Sequence, residues 1–377
     1  MKAIHKRWLV PVLILLLGAF AAGSEAAENF FDLFNLTESI DGYYTMKDLK
    51  DGSPVLRTAR ILHVGDEFID EQNRHFRVVK LEEKTAWAEQ VESSRSPAGD
   101  AQAPLAYAAA GDEKKKPSIG IYHTHGAESY VPTDGTETID QGGGILKVGD
   151  TLARALEEKG FDVNHVREPH TPHDAGAYQR SRRTAKKLLA QGDDIIFDVH
   201  RDAVPPEEYE EEVEGEEVTK ILLVVGQQNQ NAANNRDFAL KLKEIADREH
   251  PGLIKGILGA QGNYNQDLTS QGILLEVGAH ENRREEAERA VALFADVVEI
   301  YVTGPAASPD DAAQSSRLSL SSVLKVILLL AAALLAYLLI ASGSLAEFKR
   351  KISSFFQREF ADLRNFSRRD RGGRKDE

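Results

Sequence analysis

The sequence predicts an α/β fold: a three-layer domain built on a mostly parallel sheet, preceded by a small mainly β module and followed by a transmembrane helix. Three observations carry this. Short apolar runs at 119–122, 194–199, 219–225 and 273–277 alternate with stretches of helical period, the pattern of βα units with helices on both sheet faces. Several of these runs end abruptly in histidine or carboxylate, as expected where ligands collect beyond the carboxyl ends of strands. An apolar segment at 323–341, broken only by Lys325 near its edge, is long enough to span a bilayer, which takes ~20 residues.

At the start of the chain, Lys2, His5, Lys6 and Arg7 precede an apolar run over 8–22 and then small residues, so 1–26 reads as a signal peptide or N-terminal anchor. Residues 27–40 fit no pattern. Over 41–91, short β-type runs are punctuated by Asp51-Gly52, Gly65-Asp66 and Gln72-Asn73, which predicts a few-stranded β module. It shows no concentrated site chemistry; His63 and His75 read as surface or edge residues, and the module's role is placement or binding. Residues 92–116, rich in Ser, Ala, Gly, Pro and charge, read as a linker.

The main domain is expected over 117–303. Its first strand leads through a glycine-rich turn at 141–144 into a helix whose Ile145, Val148, Leu152 and Leu156 share a face, stopped by Gly160. A strand at 161–166, a helix at 178–190 closed by Gly192, the strand at 194–199 and the strand at 219–225 follow. A helix at 234–248, a strand at 273–277 and a helix at 283–302 complete it. The acidic run 207–217 reads as a solvated loop. A second linker is expected over 304–321 and the membrane helix over 322–342. The basic tail 343–377 is placed in the cytoplasm by its charge, which leaves the main domain outside the cytoplasmic membrane.

The formal charge of −14 argues against a general nucleic-acid binder. With no cysteine, disulfides and thiolate metal sites are excluded, and any metal must be held by His, Asp or Glu. The strand ends supply such groups: His123-Thr124-His125-Gly126-Ala127-Glu128, Asp198-Val199-His200-Arg201-Asp202 and Leu275-Glu276-Val277-Gly278. Three such ligands and one position left for water make a catalytic zinc site. His123 shares a strand face with His125 and is an alternative ligand. Asp198 or Asp202 would orient the His200 imidazole, and Arg201 would pair with Asp202, with Glu276 or with a substrate carboxylate. Glu276, following an apolar run, would be costly in a core without a partner or purpose. Without zinc, Glu128 and Glu276 would be the acid pair of a glycoside hydrolase. His165, His170, His173, His250 and His280 read as solvated.

These three motifs, together with Gly262-Asn263-Tyr264-Asn265-Gln266-Asp267, resemble the stage II sporulation protein P family over about 117–302. The family consists of membrane-attached cell-wall hydrolases related to the zinc-dependent N-acetylmuramoyl-L-alanine amidases. The resemblance implies His125, Glu128 and His200 as Zn2+ ligands and Glu276 as catalytic acid/base. The wider family takes its second ligand from the first helix, but 141–150 holds no Glu, so the role falls to Glu128. Asn263, Asn265 and Arg201 are implied as substrate contacts, with His123 and Asp202 lining the site. The implied substrate is peptidoglycan, cut between N-acetylmuramic acid and L-alanine, with endopeptidase activity on cross-links besides. The implied partners are the membrane and a lytic transglycosylase, stage II sporulation protein D. A catalytically inactive wall-binding or assembly protein of the same fold is the competing expectation.

Overall fold

A computed structural model of the chain describes residues 38–39, 41–91, 116–174 and 176–304. The expected signal at 1–26, the membrane helix at 322–342 and the basic tail lie outside the described residues, as do nearly all of both linkers. Among the described residues, no helix is long and apolar enough to cross a membrane.

The first five strands are β1 (Tyr44–Asp48), β2 (Pro54–Thr58), β3 (Glu67–Asp70), β4 (His75–Glu82) and β5 (Thr85–Val91). Then follow β6 (Ser118–Tyr122), the short helix α1 (Val131–Asp134), α2 (Ile145–Glu158), β7 (Asp162–His165), α3 (Ala177–Gln191) and β8 (Asp193–Asp202). A hairpin of β9 (Glu210–Val213) and β10 (Glu216–Thr219) leads to β11 (Ile221–Gly226), α4 (Ala232–Glu249), β12 (Ile254–Ala260), β13 (Gly272–Ala279) and α5 (Arg284–Thr303). Among the described residues the larger sheet has eleven strands, in the order β2-β1-β5-β4-β3-β12-β11-β13-β8-β6-β7.

The expected β module is therefore continuous with the main sheet, joined by antiparallel pairing of β3 with β12. The sheet is also less parallel than expected. β6, β7, β8 and β13 run together, whereas β11 is antiparallel to β13. Between β8 and β11 there is no crossover α-helix, only a 3-10 turn at Pro206–Glu208 and the β9–β10 hairpin. The acidic run is that hairpin rather than a loop: Val213 and Val218 are buried while most of its glutamates face outward, and the turn is made by Glu214 and Gly215, both at positive φ.

Strand alternation sets what each face meets. Ile119, Ile121, Phe197, Val199, Leu275 and Val277 join α2, α4 and α5 in one apolar layer. On the other face Tyr122 and Ile196 pack under α3, and Leu222, Val224, Leu258 and Leu274 pack with Met46, Leu56 and Phe76 of the β module. The twisted sheet thus curls its module end over that second face. Asp198, His200 and Glu276 have the parity of Ile196 and Leu274, so they point into the space between α3 and the module.

Candidate metal centre

β6 ends at Tyr122, and the chain turns through His123–Tyr130 within the protein interior. Gly126 is where this loop touches its neighbour: a Cβ there would sit 2.6 Å from Pro169 Cα, and Gly126 N donates to Pro169 O at 3.1 Å. The glycine-rich turn plays the same part for Glu128. A Cβ on Gly143 would lie 1.9 Å from Glu128 O, and Ile145 N at the start of α2 donates to that oxygen at 3.0 Å. Glu128 is thus seated on backbone. His200 stands on β8, in register with Glu276 of β13.

These placements bring His125, Glu128 and His200 together, with Glu38 as a fourth member; one ligand atom from each lies within 4.8 Å of all the others. His125 Nδ1 is 3.0 Å from Glu38 Oε1 and 3.6 Å from Glu128 Oε1, and His200 Nδ1 is 3.6 Å from Glu128 Oε2. Ligands about 2.0–2.1 Å from a tetrahedral zinc stand roughly 3.3 Å apart, so these separations suit one such ion. His125 Nδ1, His200 Nδ1 and Glu38 Oε1 are buried without a well-aligned hydrogen bond among the described residues, which a shared cation would remedy. The donor set fits zinc.

Electrostatics agree. Burial pulls both imidazoles down, but Asp198 and Glu128 carry His200 well above its ordinary value, and Glu38 and Glu128 raise His125. Burial pushes the Glu128 carboxyl up, yet the facing imidazoles and Arg201 hold it well below the usual range. The cluster favours positive charge at its centre. Asp198 stands behind the His200 ring as its charge partner: its Oδ1 is 3.0 Å from His200 Nε2, though not aligned for a hydrogen bond, and accepts from Thr124 N at 2.8 Å, while Oδ2 accepts from Thr124 Oγ1 at 2.6 Å.

Beside this cluster Glu276 is 2 % exposed and meets the wholly buried Arg60, contributed by the segment just after β2. Arg60 Nε donates to Glu276 Oε1 at 2.7 Å, Nη2 is 2.6 Å from the same oxygen, and Nη1 donates to Tyr178 Oη at 2.8 Å. Oε2 of Glu276 has no hydrogen-bond partner among the described residues. Burial pushes this carboxyl up to about 7; Arg60 opposes the rise, and Asp202 adds to it.

A family model described as stage II sporulation protein P matches residues 59–299. The chain belongs to the stage II sporulation protein P family. It is 31% identical over 238 residues to stage II sporulation protein P of Bacillus subtilis (strain 168), a match covering 58% of this chain and 59% of that protein. The chain therefore spans less than two thirds of that relative's length. Among solved structures it is similar to the N-acetylmuramoyl-L-alanine amidase AmiC2 of Nostoc punctiforme (13% identity, TM-score 0.32, 50% of this chain and 95% of that one). It is also similar to the CwlD amidase from Clostridioides difficile in complex with the GerS lipoprotein (12% identity, TM-score 0.33, 49% and 98%).

Within this member of the stage II sporulation protein P family, other expected site residues stand elsewhere or do other work. His123 is no ligand: the chain leaves the strand at Tyr122, alternation lapses, and its Nδ1 and Nε2 are taken by Val199 O (2.8 Å) and His165 Nε2 (2.9 Å). Arg201 pairs with neither Asp202 nor Glu276; its side chain donates to Ser129 O and Glu137 O, while its backbone N donates to Glu128 Oε2 at 3.0 Å. Asp202 ties the module down, accepting from Ala59 N at 2.8 Å and from Tyr209 Oη at 3.0 Å. Asn265 donates to Tyr178 O and Ser181 Oγ and so ties its loop to α3, while Asn263 Oδ1 accepts from Asp267 N within the loop itself. His170, expected in solvent, is buried between His123 O and Thr184 Oγ1, and His250 and His75 are also buried; each finds a partner that its local sequence does not reveal.

Sequence reasoning missed Glu38 and Arg60. Arg60 did leave a trace, as a lone charge in the apolar run Ala59-Arg60-Ile61-Leu62. Its presence overturns the expectation that the β module brings no site chemistry. Glu38 left none.

Proposed function

We propose that this protein is a zinc-dependent peptidoglycan hydrolase, acting on the amide between N-acetylmuramic acid and L-alanine of the stem peptide. The observation that carries the reading is the convergence of His125, Glu128 and His200 beside the buried Glu276 in a chain of this family. His125, Glu128 and His200 would hold the ion. Bound zinc would supply Lewis-acid polarisation of the scissile carbonyl and a water of lowered pKa. Glu276 would handle the proton: Arg60 anchors Oε1, and Oε2, which has no partner among the described residues, would accept a proton from water and return it to the leaving amine. A carboxyl pushed up to about 7 by burial suits both halves of that exchange near neutral pH. Sporulation-type wall remodelling from the outer face of the cytoplasmic membrane, cross-link cleavage and a lytic transglycosylase partner belong to the same proposal.

The test is mass spectrometry of purified peptidoglycan incubated with the protein. Free stem peptides should appear, disappear with chelator, and be missing with Glu276→Ala and His200→Ala. New reducing sugar ends that survive chelation would overturn the reading in favour of a glycoside hydrolase. Intact wall with all proteins would point to the binding or assembly role.

A further inference from the structure

Glu38 belongs to neither the amidase-like elements nor the strands of the β module; it lies on the chain just before β1. Its place there is made by the module: Ser39 N donates to Ala59 O at 2.8 Å, Glu38 bridges Arg60, and Lys84 Nζ donates to Ser39 Oγ at 3.0 Å. Its carboxylate then reaches inward. Oε1 is 3.0 Å from His125 Nδ1 and 2.8 Å from Arg60 Nη1, and Oε2 is 3.1 Å from His173 Nε2, whose ring stacks on His125 at 3.9 Å between centroids.

A catalytic zinc keeps three protein ligands and an open position, whereas four protein ligands make a closed site. His125, Glu128 and His200 are at most 4 % exposed and fixed by the loop and strand ends of the main domain. Glu38 differs in kind, with a side chain 20 % exposed and a backbone held at a single isolated bridge. On one zinc with the other three it would fill the position otherwise left for water, and its grip on Arg60 occupies the arginine that anchors Glu276.

We propose that Glu38 is a displaceable fourth metal ligand, which closes the site in the resting protein and must withdraw before peptidoglycan can be cut. This rests on the zinc-hydrolase reading and deepens it to the regulation of that site. Displacement costs one carboxylate–metal contact and two ion pairs, and leaves the three buried ligands in place.

Zinc alone is the first probe, titrated into the full chain, into Glu38→Ala and into Glu38→Gln against a chromophoric chelator. Both variants should still bind one zinc, with affinity lower by about 10- to 100-fold. X-ray absorption should show a light-atom ligand of the shell change from carboxylate to water. Peptidoglycan digestion by both variants should rise at least about tenfold over the parent, because the competent population no longer depends on Glu38 leaving. Unchanged zinc affinity in both variants would overturn the assignment of Glu38 as a ligand. Complete loss of zinc and of digestion in the conservative Gln variant would overturn its being displaceable. Weaker zinc binding with no wall digestion by any protein would leave Glu38 a ligand and sink the hydrolase reading instead.

Discussion

Replacing Arg60 with methionine tests the least expected contact in the site. Arg60 is wholly buried and Glu276 is 2 % exposed, so neither charge can turn to water when its partner is removed. Breaking one side of a buried pair costs about 3–5 kcal/mol, against a typical total stability of roughly 5–15. Glu38 loses the same guanidinium but is one-fifth exposed and can rotate outward, so the stranded charge is that of Glu276. Burial already pushes this carboxyl up to about 7 with Arg60 present. Without Arg60 it rises further, and the folded state then holds a proton that the unfolded chain releases near the ordinary carboxyl value of about 4.3. A raised folded value means stability is fully present below the unfolded one and is lost as pH rises, so the penalty grows from pH 6 to pH 8. The assay is urea unfolding in chelator of the parent, Arg60→Met, Glu276→Gln and the double variant. Arg60→Met should lose about 3–5 kcal/mol near pH 8, and the double variant should recover roughly 2 of them. A loss below about 1 kcal/mol, or additivity within roughly 0.5, would show that the pair is not the buried unit described here.

Three further outcomes are expected. Asp198→Asn keeps an acceptor for Thr124 N but removes the charge behind His200, and should lower zinc affinity by about 10- to 100-fold in a chelator competition with the fold intact by circular dichroism. Gly143→Ala places a methyl group against Glu128 O and should weaken zinc binding through a residue that touches no metal; an affinity equal to the parent's would refute the seating of Glu128 on that turn. On β3, next to β12, His75, Arg77 and Arg236 hold Glu67 down to about 2. A depressed carboxyl stabilises above its unfolded value and loses that contribution as pH falls through the folded one. Thermal unfolding should therefore show a steeper decline between about pH 4.5 and 2 in the parent than in Glu67→Gln.

What the sequence determined by itself was most of the elements, though not β12 or the β9–β10 hairpin, and the chemistry at their ends. Apolar runs that stop in His125, His200 and Glu276 need no tertiary knowledge, because strand period and the cost of a buried charge are local facts. Glu128 was legible too, by the missing Glu at 141–150 once the family resemblance was in hand. Tertiary structure alone decided which elements share a sheet. The β module pairs through β3 with β12, a contact between segments far apart in the chain, and β12 was not among the strands read from the sequence. That pairing carries Arg60 to Glu276 and Glu38 to His125 across 216 and 87 positions. It also decided what local rules could not about His123, whose ring is claimed by Val199 O and His165 rather than by a metal. Side-chain type announces which groups can bind an ion; only packing brings their atoms within one ion's reach, since a separation of a few ångströms is fixed by the whole sheet and not by any stretch of it.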